Sequence, residues 1–145
     1  MIYILICSLH SILNFVSFFY LVPPGMPTLY EPNRALRNLY NEGDVIKATC
    51  TASPPGKPTG NILWRWKFPK IRELYNSLLE NFTVKDVSPQ YYQQSTNSNM
   101  LISKIELPPL TSQFHGAQLF CIATNPVISY QSVAIKVNIK CNKYF

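Results

Sequence analysis

The stretch Val45-Ile46-Lys47-Ala48-Thr49-Cys50-Thr51-Ala52 decides the fold. Ile46, Ala48 and Cys50 fall on one side of an extended chain, and Lys47, Thr49 and Thr51 on the other. That period of two marks a strand with one face in a core. The turn signal Asn41-Glu42-Gly43-Asp44 precedes it, and the loop Ser53-Pro54-Pro55-Gly56-Lys57-Pro58-Thr59-Gly60 follows. Asn61-Ile62-Leu63-Trp64-Arg65-Trp66-Lys67-Phe68 then repeats the alternation, with Ile62, Trp64 and Trp66 facing one way and Arg65 and Lys67 the other.

Further out the same grammar recurs. Gln118 to Thr124 is a strand around Cys121, with Leu119, Cys121 and Ala123 on one face. Ser132 to Lys140 sets Val133, Ile135, Val137 and Ile139 against Ala134, Lys136, Asn138 and Lys140. Met100 to Leu107 is strand-like and stops at Pro108-Pro109. Tyr91 to Asn99 is polar and reads as a loop, and Pro23 to Pro27 as a linker entering an edge strand. In the 70–82 connection Ile71, Leu74, Tyr75, Leu78, Leu79 and Phe82 recur at helical spacing, which predicts a short helix; an irregular strand is the alternative. Short strands between Pro/Gly turns predict an all-β sandwich of two antiparallel sheets.

Cys50 and Cys121 lie 71 positions apart, each in the middle of an alternating strand, and Trp64 follows the first. Inward positions of two facing strands come within disulfide reach, and a thick core needs a large side chain beside the bridge. This Cys…Trp…Cys order predicts an immunoglobulin-like β-sandwich with a Cys50–Cys121 bridge and Trp64 packed on it. Trp66 shares its parity and is the rival core indole. Two free buried cysteines are the other reading of the same pattern.

The 145 residues include twelve Pro, five Gly and 47% hydrophobic positions, which excludes a disordered tail and a coiled coil. Thirteen Lys plus Arg against seven Asp plus Glu give a net charge of +6. With two His, and no HExxH, GxSxG or P-loop pattern, neither enzyme activity nor a metal or cofactor is expected.

Ile2 to Val22 carries no charged residue. A signal peptide is the first expectation, although no Lys or Arg precedes the apolar run and no small-x-small cleavage site ends it. A signal anchor or an artefact of the gene model are the alternatives. The chain then divides into a leader at 1–22, a domain at 23–140 and a tail at 141–145. Cys7 goes with the leader and leaves Cys141 without a partner in the domain, as at a truncated or misread chain end. The sequon Asn81-Phe82-Thr83 is a glycosylation site in the secretory pathway.

Val22-Pro23-Pro24-Gly25-Met26-Pro27-Thr28-Leu29-Tyr30-Glu31 with Tyr40-Asn41-Glu42-Gly43-Asp44 resembles the opening of an immunoglobulin domain in Sidestep-type proteins, a family of arthropod cell-surface guidance proteins. Ser98 to Leu101 through Ile105 to Leu110, Ala117 to Asn125, and Ser132 to Asn138 are similar to that family's E, F and G strands. The likeness runs from about Pro23 to Lys140 and implies one immunoglobulin domain of the C2, CD80-like type. It also implies an extracellular or cell-surface location and an immunoglobulin-superfamily partner like the Beaten path proteins. The chain departs from the pattern at Phe114-His115-Gly116, where an acid is common, and at Leu119, where a Tyr is usual. The family's further domains and membrane anchor make a fragment the expectation.

The expected function is therefore protein recognition in adhesion or neuronal guidance. The candidate binding face is Arg65, Lys67, Lys70 and Arg72 beside Phe120 and Ile122, read as outward residues of two neighbouring strands. The alternative is a secreted basic module binding a polyanion such as glycosaminoglycan through the four cations, with nucleic acid excluded behind a leader. A humoral factor or a nonfunctional fragment is a third possibility.

Overall fold

In the computed structural model, residues 21–32, 39–70 and 82–140 are described below. They form an immunoglobulin-like β-sandwich. The first sheet has the order β1-β3-β7-β6, built from β1 (Thr28–Tyr30), β3 (Lys47–Ala52), β6 (Tyr92–Thr96) and β7 (Leu101–Glu106). The second has the order β10-β8-β4-β5, from β4 (Asn61–Pro69), β5 (Phe82–Asp86), β8 (Gln118–Thr124) and β10 (Ile135–Lys136), and β9 (Ser129–Gln131) also pairs with β8. All these pairings are antiparallel. The short strands β2 (Leu39–Tyr40) and β11 (Asn138–Ile139) pair in parallel. The helical periodicity of the 70–82 connection falls almost wholly outside the described residues, as do Asn81, the tail and nearly all of the leader.

The alternating patterns become the two inner faces. Ile46, Ala48, Cys50 and Ala52 pack against Ile62, Trp64, Trp66, Leu119, Cys121 and Ala123, with Leu101, Ile105, Ile135 and Val137 closing the layer. The Cys50–Cys121 disulfide spans the sheets at a Cα separation of 6.5 Å. Trp64 is 1% exposed and Trp66 6%. The Trp64 indole N–H donates to Ser103 Oγ of the opposite sheet at 2.9 Å, which satisfies a polar atom that the core otherwise desolvates. Trp66 instead joins Phe68 and Phe114 in an aromatic cluster with ring centroids 5.0–5.8 Å apart.

Three expectations are corrected or sharpened. Tyr91 to Asn99 is not a loop: Tyr92–Thr96 is the edge strand β6, paired along its length with β7. Its exposed positions need no apolar residue, so it lacks the alternation by which strands are read. Pro23 to Pro27 does lead into an edge strand, β1, and is itself tied down. Val22 and Lys57 exchange backbone hydrogen bonds of 2.8 Å, the Gly25 N–H donates to Pro54 O, and Pro24 and Pro27 are buried. A Cβ on Gly25 would lie 1.8 Å from Ser53 O, so this position requires glycine.

The third correction is at Ser132 to Lys140, which is not one continuous strand. Gln131 pairs with Ile122 and Ile135 with Leu119, so Ser132, Val133 and Ala134 stand opposite only Phe120 and Cys121. That is a β-bulge, one extra residue that shifts the side-chain phase. Ser132 turns inward, where its Oγ accepts from the Cys121 N–H at 3.0 Å. Val133, assigned to the core face by simple alternation, is 85% exposed.

Within β8 Leu119 is buried, where the resembled family places a Tyr. The Gly116 N–H donates to Val137 O, the Val137 N–H to Ala117 O, and His115 Nδ1 accepts from the Ile139 N–H at 3.0 Å. An exposed histidine thus holds the start of β11.

Candidate recognition face

The outer face of the second sheet is laid out in cross-strand rows. Leu63 stands opposite Ile122, and Ile122 opposite Gln131. Arg65 stands between Phe120 and Asp86. Lys67 stands between Gln118 and Val84, and Lys136 beyond Gln118. The face is therefore apolar near the β8–β9 hairpin and cationic at the other end.

The predicted contact residues divide accordingly. Ile122 is half-buried and lies on this face. Phe120 is not an exposed contact residue: it is 4% exposed, yet it stands outside the inter-sheet core cluster that contains its neighbours Leu119 and Cys121. Its ladder position explains this. A large ring between the long Arg65 side chain and the doubled residues of the bulge has neighbours on both sides to cover it, whereas Ile122 lies between Leu63 and Gln131.

Two of the cations are engaged. Arg65 Nε lies 2.6 Å from Asp86 Oδ1, and Lys67 Nζ stands 3.9 Å above the Phe82 ring. Lys70 is exposed, and Arg72 lies outside the described residues. The structure thus brings Arg65, Lys67 and Ile122 onto one face, buries Phe120 at the same face, and leaves Lys70 just past the end of β4.

Sequence reasoning missed Leu63, Val84 and Val133, which are 36%, 52% and 85% exposed. Leu63 and Val84 were readable as outward positions of their strands. Val133 carried the opposite signal, because a bulge leaves no trace in an alternating pattern. Leu63 and Ile122 stand side by side one row along from the Arg65–Asp86 pair, and Val133 protrudes from the bulge after β9, a combination suited to desolvation against another protein.

The opposite sheet carries a groove of about 520 Å³ lined by Thr49, Tyr91, Gln93 and Lys104 and by the Lys47–Glu106 ion pair of 3.2 Å. It holds no His, Cys or Ser positioned beside a base, and among the described residues no cluster of His, Cys, Asp and Glu could hold a metal ion. No protein-family model matches the chain, and no curated protein matches it significantly.

Proposed function

We propose that this chain is an extracellular recognition module that binds a second cell-surface or secreted protein through the outer face of its β10-β8-β4-β5 sheet. The observation that carries the reading is the exposure of Leu63, which stands opposite the half-buried Ile122, and of Val133 at the bulge after β9, on a disulfide-braced sheet where the backbone holds apolar side chains out in water. A structural disulfide belongs to an oxidising compartment, which supports a secretory route. The Sidestep resemblance supports a partner of the immunoglobulin superfamily, like the Beaten path proteins, and a role in guidance or adhesion. The pairing of Arg65 with Asp86 favours this over a polyanion site, since a cation already neutralised adds little to binding an anion.

The test is a binding measurement against a panel of extracellular immunoglobulin-domain proteins and against heparan sulfate, at low and at physiological ionic strength. Protein binding that tolerates salt and falls at least tenfold in Ile122→Glu and in Val133→Glu supports the reading. Binding only to the sulfated polymer, lost with salt and indifferent to both substitutions, overturns it.

A further inference from the structure

The two sheets end in edges of different chemistry. Proline at 24, 27 and 32 flanks the three-residue β1, β5 carries Lys85 and Asp86, and β10 has two residues, one of them Lys136, beside the bulge. Charges, prolines, bulges and shortness are the devices by which sheet edges avoid pairing with other chains. The edge strand β6 has none of them. It runs for five residues, Tyr92-Gln93-Gln94-Ser95-Thr96, and from Val87 to Ser103 the sequence has no Asp, Glu, Lys or Arg. Tyr92 is half-buried and Gln93 to Thr96 are exposed, so the strand is uncovered.

This edge is also anchored to the other sheet. Gln94, though exposed, reaches across to β4: its Oε1 accepts from the Ile62 N–H at 2.7 Å and its Nε2 donates to Asn61 Oδ1 at 3.3 Å. That contact ties β6 to β4 of the other sheet. On the far side, all five residues pair with β7, Gln93 opposite Lys104 and Ser95 opposite Ile102. An anchored, uncharged strand with the backbone groups of Gln94 and Thr96 on its open side, the Tyr92 N–H being taken by Pro89 O, is a template for one more strand.

We infer that β6 is a self-association edge, on which β6 of a second copy of this chain adds antiparallel about a two-fold axis through Gln94. The strand is self-complementary in that register. Tyr92 meets Thr96 of the second copy, Gln93 meets its Ser95, and no like charges oppose each other. The two four-stranded sheets become one of eight strands. The outer face of the other sheet stays free, so this association does not depend on the function proposed above. A single strand pair is a small interface, which places the dimer among weak, concentration-dependent associations.

Sedimentation of the oxidised chain over a wide concentration range tests this together with two double variants. Q93E/S95E sets carboxylate against carboxylate twice across the axis, while the one introduced at position 93 lies beside Lys104 of its own sheet, and it is expected to weaken the dimer about tenfold or more. Q93E/S95K sets a carboxylate against an ammonium at the same two places and is expected to restore it. Amide exchange should show Gln94 and Thr96, whose N–H groups face the open side, gaining protection at high concentration, a readout that needs no substitution. A chain that stays monomeric to about millimolar concentration, or a dimer that both variants leave unchanged, overturns the inference.

Discussion

Trp64 and Ser103 show how one hydrogen bond fixes a core. The indole N–H has no route to water, and Ser103, fully buried, is there to receive it. Replacing Ser103 by Ala should cost about 1–3 kcal/mol in urea unfolding, the penalty for a buried donor left without a partner. Lys104→Ala, the exposed neighbour, should fall within about 0.5 kcal/mol of the parent. The Cys…Trp…Cys order is enough to place Trp64 beside the bridge, because residue type and parity both bear on it. Ser103 could not be chosen in advance, since nothing in Leu101-Ile102-Ser103-Lys104 says that an indole will arrive from the other sheet. Phe120 misleads for a related reason. Its parity points outward, and its burial comes from side chains distant in sequence.

Among the elements, the bulge at Ser132 to Ala134 has the widest effect. It preserves pairing on both sides of an extra residue, so Ile135 and Val137 still reach the core after Val133 has been put outside. Deleting Val133 would leave Ser132 and Ala134 opposite Cys121 and Phe120 one to one, a regular ladder that keeps Ile135 inward. Deleting Ala134 as well would force either β9 or β10 out by one residue and swing a run of side chains to the wrong face. Thermal unfolding of the double deletion should show a far larger loss than deletion of Val133 alone, and Val133→Ser should be close to neutral. Ser132→Ala should cost about 1–2 kcal/mol by leaving the Cys121 N–H without its acceptor. The inward strands β3, β4, β7 and β8 were legible because a half-buried strand must alternate. Strand β6 was not, because an edge exposed to water places no such demand on Gln93, Gln94 or Ser95.

For the whole molecule, the disulfide and the two inner faces act on one core. Closing a loop of 71 residues contributes about 4 kcal/mol in the chain-entropy model. Reducing the bridge should therefore lower the unfolding midpoint by several degrees or more, and a reduced chain as stable as the oxidised one would show that the clamp is redundant. The candidate face was only partly legible. Its register follows from strands the sequence marks, but the pairing of Arg65 with Asp86 and the protrusion of Val133 belong to the assembled sheet. The parallel contact of β2 with β11 bears on how the domain meets mechanical load. These strands lie toward opposite ends of the chain and run side by side, joined by bonds such as Lys140 N–H to Tyr40 O at 2.8 Å. Traction on the two sides of the domain slides one past the other and strains those bonds together instead of peeling them singly. A module tugged between two cells would yield late and abruptly, and single-molecule stretching should find its peak rupture force reduced when Tyr40 is replaced by proline.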